Sequence, residues 1–346
     1  MNSTQSNGTS LQIPVIDLSG ANAQIADKLI DAVAQVGFVF VNGEGLGFTS
    51  QILNEAFALS KEFFTSPIEE KEKCAIQANN IGWSSMHAET LDPKKQKRGD
   101  FKEAINFGEF VNGKAQQSLA PTLAPHEANL HHFSVLCHEL CMKLLRLFAL
   151  GLRIDSSKGG EEYFSSRHDP LKGPSGSVLR LLHYPAVAKD ESVMDNVVDI
   201  RAGAHSDYGS LTLLFQRASQ PGLEILTPSS TWSPVPVYPP GTEANAFPPI
   251  LVNIGDLMHF WTNGLLKSTV HRVVFPEGES EDRYSIAYFC HPLDKVEIEA
   301  VPSEMIKERG RESEQQNGKT ITAEEYLKKR LAETYGWGKQ QDAAQG

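Results

Sequence analysis

The residues with the clearest chemical potential are two histidines and an aspartate that could share a metal ion. His205 and Asp207 are two positions apart at the start of an apolar run typical of a β-strand. Side chains at i and i+2 project from the same strand face. The strand-like run 268–275 carries a second imidazole, His271. Two histidines and one carboxylate that leave coordination positions open are the ligand set of mononuclear non-haem Fe(II) centres, so the pattern predicts an iron site.

A second pair of residues predicts a binding site for a carboxylate. Arg283 and Ser285 follow His271 in another strand-like run and share one strand face. A guanidinium binds a carboxylate through two parallel charge-assisted hydrogen bonds, and a neighbouring hydroxyl can add a third. Each signal alone has a plainer explanation: a surface turn, a structural histidine or a salt bridge. The three signals are the pair His205 and Asp207, the single His271, and the pair Arg283 and Ser285. Because they occur in this order and on separate strands, they support one another.

The bulk composition limits the possible partners. The chain has 346 residues, 40% of them hydrophobic, which is enough for a large core in one domain or two closely joined domains. Its net charge of −11 argues against binding nucleic acid or an anionic membrane surface. No apolar run approaches the 18 residues of a membrane-spanning helix. We therefore expect no nucleic-acid partner and no membrane association.

The chain ends and the cysteines favour a cytoplasmic protein. Residues 1–12 are mostly small and polar, which predicts a disordered tail rather than a secretory signal. The four cysteines have no disulfide-framework spacing and are interpreted as buried thiols in a reducing compartment; they are Cys74, Cys137, Cys141 and Cys290.

The order of the predicted elements suggests a β-rich core flanked by helices. Helical periodicity dominates 13–175, strands dominate 176–300, and 301–346 holds a C-terminal helix and tail. Many strands without intervening helices favour a barrel or sandwich; they are predicted at 177–185, 204–216, 223–227, 250–261, 269–276 and 283–291.

Two further segments have distinctive patterns. Segment 228–249 contains seven prolines, which predicts an irregular, mobile insertion at the barrel rim. Near the end, Thr322 and Glu325 have the spacing of a capping box and predict the start of a helix that closes the fold.

Several motifs beyond the metal-ligand pattern resemble one family. The chain from residue 13 to about 337 resembles the isopenicillin N synthase-like family of Fe(II)- and 2-oxoglutarate-dependent oxygenases, in its fungal or plant branch. The motifs are IPVIDL at 13–18, GFVFV at 37–41, DFKEAINFG at 100–108, HYP at 183–185 and VNIGD at 252–256. The resemblance implies a mainly β fold with flanking helices, whose core is a double-stranded β-helix, or jelly roll, with iron inside one end.

The resemblance also implies the roles of individual residues. Arg283 and Ser285 match the family's anchor for the far carboxylate of 2-oxoglutarate, and Tyr184 matches a tyrosine that helps to hold this co-substrate. The family commonly has an asparagine two residues before that tyrosine, whereas this chain has Leu182. The expected substrate-pocket residues, which are equally well explained as ordinary core residues, are Phe107, Leu223, Trp261 and Phe289.

The implied activity is that of an oxidoreductase with Fe(II), 2-oxoglutarate and O2. It would oxidise a C–H bond of a small organic molecule, in secondary metabolism, with no catalytic side chain beyond the metal centre, as a cytoplasmic monomer or homodimer. Three alternatives remain open: an isopenicillin N synthase-type oxidase that does not use 2-oxoglutarate, a nucleobase-salvage hydroxylase, and a non-catalytic module that binds metal or 2-oxoglutarate. A zinc hydrolase would leave Arg283 and Ser285 without a role.

Overall fold

A computed structural model describes residues 12–186, 200–275, 281–309 and 320–336. The predicted N-terminal tail, apart from residue 12, and the polar C-terminal tail lie outside these residues. None of the described helices is long and apolar enough to cross a lipid bilayer.

The helices lie mainly in the first half of the chain. They are α1 (Asn22–Gln35), α2 (Ser50–Thr65), α3 (Ile68–Glu72), α4 (Glu127–Gly151), α5 (Glu162–Ser165), α6 (Asp256–Trp261), α7 (Glu304–Arg309) and α8 (Ala323–Tyr335). Helix α8 begins with the predicted capping box: the Thr322 hydroxyl accepts a hydrogen bond from the Glu325 amide, and the Glu325 carboxylate accepts one from the Thr322 amide.

The strands are β1 (Val15–Ile16), β2 (Phe38–Val41), β3 (Gly82–Ser84), β4 (Glu103–Phe107), β5 (Phe110–Val111), β6 (Lys114–Ala115), β7 (Val178–Tyr184), β8 (Ile200–His205), β9 (Leu211–Gln216), β10 (Leu223–Leu226), β11 (Trp232–Pro234), β12 (Ile250–Ile254), β13 (His271–Val274) and β14 (Arg283–Cys290). Across the described ranges, eight strands form a large sheet in the order β1-β2-β12-β9-β14-β7-β4-β3. A smaller sheet has the order β11-β10-β13-β8.

Successive side chains along the strands of the large sheet point to opposite faces, and each face packs in a different core. In β9, Leu211 and Leu213 pack in the main hydrophobic core together with helices α1, α2 and α4. Thr212 and Leu214, on the opposite face, line a cavity between the sheets. The large sheet is thus covered by helices outside and by the small sheet inside. The predicted mainly β fold with flanking helices and a jelly-roll core is confirmed.

The N-terminal region contributes strands as well as helices to this architecture. Strand β2 pairs with β12, and β4 pairs with β7, so strands on both sides of residue 175 share the large sheet. The large sheet therefore includes strands from both sides of the predicted boundary at residue 175.

Three predicted segments were wrong in detail. The run 204–216 is two strands, β8 and β9, joined by a turn, and 250–261 is strand β12 followed by helix α6. The proline-rich segment 228–249 was expected to lack regular structure. It instead contributes β11, which pairs with β10, and buries Val235 and Phe247. Proline is tolerated in β11 because this strand is at an edge of its sheet.

Candidate metal and co-substrate site

The two histidines of the predicted metal site lie opposite each other in the small sheet. His205 ends β8, His271 begins β13, and they form a cross-strand pair whose ring centroids are 4.3 Å apart. Asp207 was expected on the same strand as His205, but it lies in the turn after β8. Its Oδ1 atom is 3.7 Å from His205 Nε2 and 3.6 Å from His271 Nε2. Among the described residues these are the one group of potential ligands close enough to share a metal ion.

Backbone carbonyls orient both imidazoles. His205 Nδ1 donates to the carbonyl oxygen of Gly203 at 2.8 Å, and His271 Nδ1 donates to that of Thr269 at 3.1 Å. An imidazole that donates through Nδ1 presents the lone pair of Nε2 when it is neutral. When the two imidazoles are neutral, both Nε2 atoms therefore face Asp207 with a free lone pair.

The Asp207 carboxylate is oriented in the same way. Its Oδ2 atom accepts hydrogen bonds from Thr212 Oγ1 and Asn253 Nδ2, each at 2.6 Å. Oδ1 is left facing the two histidines. Asn253 belongs to the VNIGD motif, so one part of that motif positions the carboxylate.

The rest of the VNIGD motif holds the turn that carries Asp207. The Asp256 amide donates to the Asp207 carbonyl at 2.8 Å, and the Leu257 amide donates to the Gly209 carbonyl at 3.1 Å. A Cβ atom on Gly255 would collide with the Gly209 carbonyl oxygen, so this close approach requires glycine. The start of α6 thus fixes the turn through its backbone.

The protonation of Asp207 and His205 suits a divalent cation, whereas Asp207 favours a proton on His271 that a metal would displace. Burial raises the pKa of Asp207, but the adjacent imidazoles, that of His271 foremost, outweigh burial and hold this pKa well below its usual range. Burial lowers the pKa of His205 to about 4. Burial also lowers the pKa of His271, but Asp207 outweighs this effect and the net shift is upward. An ionised carboxylate and a neutral imidazole are the forms that bind metal.

Arg283 lies deep in the cavity, with only 1% of its surface exposed. Its Nε–H donates to the backbone carbonyls of Gln220 and Pro221, at 3.2 and 3.0 Å. Nη1 donates to Ser285 Oγ and Nη2 to Gln216 Oε1, each at 3.3 Å. The backbone bonds fix the guanidinium plane, while the two Nη atoms lie beside hydroxyl and amide groups that can also contact a carboxylate.

The neighbouring strand completes this end of the cavity. Tyr184 pairs with Arg283, and Leu182 pairs with Ser285, across β7 and β14. The guanidinium carbon of Arg283 is 5.1 Å from the centre of the Tyr184 ring. Sequence reasoning missed Gln216, which is buried and has an Nε2 atom without a described hydrogen-bond partner. The sequence could have indicated Gln216, because it is a polar residue at a position of β9 that faces inward.

The cavity measures about 120 Å³ and contains the predicted metal ligands together with Tyr184, Arg283 and Ser285. Leu223 and Phe289, two of the expected pocket residues, line it. Phe107 and Trp261 do not, and their assignment was wrong. Strand alternation turns Phe107 to the helical side of the large sheet, where it is buried in the main core. Trp261 is on α6 and packs against Phe164.

A buried charge cluster, which the sequence did not reveal, lies beside β4 and β7, and three of its four members line the cavity. It consists of Glu89, Asp100, Lys102 and Arg180. Glu89 forms ion pairs with Arg180 and Lys102, and Lys102 also pairs with Asp100. Burial lowers the pKa of Lys102, but Asp100 and Glu89 outweigh burial and raise it. The cluster pairs two carboxylates with two basic groups, so its formal charge is zero.

Helix α8 forms part of the wall of the cavity. Leu327, Leu331 and Tyr335 line it, and the Tyr335 hydroxyl donates to Glu89 Oε1 at 3.0 Å. The helix is anchored because the Tyr326 hydroxyl donates to Asp256 Oδ2 at 2.7 Å. The C-terminal helix was expected only to close the fold, but it also forms part of the cavity wall.

Comparisons with known proteins agree with this geometry. The family described as "non-haem dioxygenase in morphine synthesis N-terminal" matches residues 13–127, and the "2OG-Fe(II) oxygenase superfamily" matches residues 175–292. A UPF0676 protein of Schizosaccharomyces pombe is 36% identical over 95% of this chain and 94% of the relative. A proline hydroxylase of Petromyces alliaceus is 31% identical over 91% of this chain and 95% of the relative.

A solved structure extends the similarity to three dimensions. A full-length protein of Neurospora crassa, solved in complex with alpha-KG and thymine, superposes with a TM-score of 0.74 at 30% identity. The match covers 94% of this chain and 98% of that protein.

Proposed function

This chain belongs to the 2OG-Fe(II) oxygenase superfamily, and from this membership we infer that His205, Asp207 and His271 bind its iron. The protein is an Fe(II)- and 2-oxoglutarate-dependent dioxygenase that oxidises a C–H bond of a small organic molecule. The role of each residue and the identity of the substrate go beyond family membership and are proposals.

The observation that carries the metal assignment is the convergence of three ligand atoms. Asp207 Oδ1 lies within 3.7 Å of both Nε2 atoms, while Nδ1 of each histidine and Oδ2 of the aspartate are hydrogen-bonded elsewhere. A two-histidine, one-carboxylate set fits Fe(II) and leaves positions for 2-oxoglutarate and O2. The donor set thus fits the metal that the family requires.

The co-substrate end of the cavity is assigned to Arg283, Ser285 and Tyr184. The guanidinium would pair with the far carboxylate of 2-oxoglutarate, the Ser285 hydroxyl would add a hydrogen bond, and Tyr184 would pack beside them. Gln216 positions the guanidinium through its Oε1 atom. Support comes from the burial of Arg283 and from its alignment by backbone carbonyls.

The positions of these residues indicate what the metal and the protein would each contribute to the reaction. Bound Fe(II) supplies the oxidising chemistry, in which O2 converts 2-oxoglutarate to succinate and carbon dioxide while a substrate C–H bond is oxidised. The protein would contribute orientation and a closed environment: Arg283 would align the co-substrate, His205, Asp207 and His271 would hold Fe(II), and α8 would limit the access of water.

The metal assignment predicts that loss of one ligand abolishes turnover without unfolding the protein. His271→Ala removes one of three ligands, so Fe(II) content and succinate production should both fall to background, while thermal unfolding of the metal-free protein changes little. His259→Ala is the matched control, since His259 lies on α6 and bonds the Leu266 carbonyl. Normal iron content in His271→Ala would contradict the assignment.

Anaerobic titration and succinate release test two of the three alternatives. The Fe(II) enzyme should develop a metal-to-ligand absorption band on addition of 2-oxoglutarate, whereas an isopenicillin N synthase-type oxidase would not. Succinate release in air distinguishes a catalyst from a module that only binds these ligands.

A role in secondary metabolism is the more specific proposal. The monomeric or dimeric state and the cytoplasmic location remain predictions, to be measured by light scattering and by imaging of the tagged protein.

A further inference from the structure

The carboxylate of Asp256 joins three parts of the chain beside the metal site. Asp256 begins α6 and is 7% exposed. Its Oδ1 atom accepts a hydrogen bond from Ser268 Oγ at 2.7 Å, and its Oδ2 atom accepts one from Tyr326 Oη at 2.7 Å. Nη1 of Arg330 also donates to Oδ2. The carboxylate therefore connects α6 both to the segment before β13 and to helix α8.

Two of these three parts carry a predicted metal ligand or the group that orients one. The backbone amide of Asp256 donates to the Asp207 carbonyl at 2.8 Å, which fixes the turn with Asp207 to the start of α6. Ser268 immediately precedes Thr269, whose carbonyl accepts the hydrogen bond that orients His271. The contacts of the Asp256 carboxylate thus lie one step beyond the contacts that orient two of the three ligands.

Helix α8, the third part, also contacts the turn directly. Tyr208 follows Asp207 in this turn, and the guanidinium carbon of Arg330 is 4.2 Å from the centre of the Tyr208 ring. The Tyr208 hydroxyl is hydrogen-bonded to Thr334 Oγ1 of the same helix. Arg330 therefore contacts both the start of α6 and the turn that α6 holds.

We propose that Asp256 is a positioning residue through which helix α8 sets the geometry of the metal site. In the docked helix, Tyr326 and Arg330 hold the carboxylate, and the carboxylate holds Ser268 and the start of α6. None of these residues is a metal ligand, so they act through the backbone next to Asp207 and His271. The inference rests on the proposed function only in that these ligands are taken to bind Fe(II).

The partial shielding of these groups from water makes the connection effective. The side chain of Asp256 is 9% exposed and that of Arg330 is 24% exposed. Hydrogen bonds between charged groups are stronger than neutral ones, and a buried group that loses its partner is destabilised. Displacement of α8 would therefore weaken the restraint on both ligand-bearing segments. Because coupling between two equilibria is reciprocal, bound iron should in turn favour the docked position of α8.

The affinity for iron distinguishes a positioning role from a contribution to stability alone. Fe(II) would be titrated anaerobically against a chelator, and the metal-to-ligand band would then be recorded with 2-oxoglutarate. Tyr326→Phe removes only the hydroxyl that bonds Asp256, so it should lower the Fe(II) affinity about 2- to 30-fold and shift the band. Asp256→Ala should lower the affinity about 10- to 100-fold. Asp256→Asn keeps an oxygen acceptor for Ser268 and should recover part of this loss.

Three comparisons test whether the effect passes through the carboxylate. Lys328→Ala is the matched control and should keep the wild-type Fe(II) affinity, since Lys328 is exposed on the same helix and pairs with Glu324. In the Asp256→Ala background, Tyr326→Phe should cause no further loss, because the acceptor of its hydroxyl is already absent. Fe(II) should also slow amide hydrogen exchange in α8 of the wild type, but not in α8 of Asp256→Ala.

Several results would overturn the inference. Wild-type Fe(II) affinity with an unchanged band in Tyr326→Phe would do so, and this conservative variant decides the question even if Asp256→Ala does not fold. An equal loss of affinity in Lys328→Ala, or an undiminished effect of Tyr326→Phe in folded Asp256→Ala, would also do so, as would equal exchange in wild-type α8 with and without Fe(II). Failure of the wild-type enzyme to bind Fe(II) or to develop the band would count against the proposed function itself, so the two failures are distinguishable.

Discussion

Replacement of Arg283 separates co-substrate binding from metal binding. Arg283 is 1% exposed, so water cannot readily replace the guanidinium when it is removed. Arg283→Ala would leave the far carboxylate of 2-oxoglutarate desolvated and without a cation. Truncating one partner of a buried charge pair costs about 2–5 kcal/mol. At about 1.36 kcal/mol per tenfold change, the affinity for 2-oxoglutarate should fall about 30-fold to several-thousand-fold.

Smaller changes at the same place should have graded effects. Arg283→Lys should recover only part of the affinity, since an ammonium cannot make the two parallel bonds of a guanidinium. Ser285→Ala removes a single hydroxyl and should cost about 0.5–1.5 kcal/mol. Neither residue is a metal ligand, so the Fe(II) content should equal that of the wild type in all three variants.

The assay is an anaerobic 2-oxoglutarate titration of each variant, with iron quantified in parallel. Arg283 also donates to the Gln220 and Pro221 carbonyls, so thermal unfolding must show that Arg283→Ala remains folded. Arg146→Ala, which removes an exposed arginine paired with Glu162, is the matched control. Wild-type affinity in folded Arg283→Ala would refute the assignment of the anchor.

Three other predictions follow from the same geometry. Asn253→Ala should lower Fe(II) affinity about 10–100-fold, measured by competition with a chelator, because Asp207 loses a hydrogen bond that orients it. Deletion of the chain from Thr322 onwards should open the cavity, so substrate oxidation should fall further than substrate-independent succinate release. Burial raises the pKa of Glu89, but Arg180 and Lys102 outweigh burial and hold it below the ordinary value of 4.5. This ion-paired carboxylate stabilises the fold above about pH 4.5 and loses that contribution as the pH falls further. Urea unfolding of wild type and Glu89→Gln should therefore differ less at pH 3.5 than at pH 7.

The sequence predicted the parts of the site that lie in short motifs. His205, Asp207 and His271 were predicted as metal ligands because few ligand sets combine two imidazoles with one carboxylate at such spacing, and the structure brings their potential ligand atoms together. Their local structure was less predictable. Asp207 was expected on a strand, but the amides at the start of α6 bind the turn that carries it. That contact joins residues about fifty positions apart, and no local pattern encodes it.

The substrate end was predicted less well, for reasons of strand alternation and long-range pairing. Phe107 was a reasonable pocket residue by type, but the register of β4 turns Asn106 inward in its place. Arg180 had no recognisable motif, since a single arginine in an apolar strand gives no indication of its partner. That partner, Glu89, comes from a loop far away in sequence. Hydrophobic periodicity predicts which elements form, but it does not predict such pairings.

Because His205 and His271 form a cross-strand pair, iron binding would depend on the correct register between β8 and β13. Because successive side chains on a strand point to opposite faces, a slip of one residue in the pairing of β13 would turn His271 away from Asp207. Only the correctly aligned chain would then offer all three ligands. By mass action, iron would stabilise that alignment over every slipped one. The metal would thus select the assembled barrel during folding, before it takes part in any reaction.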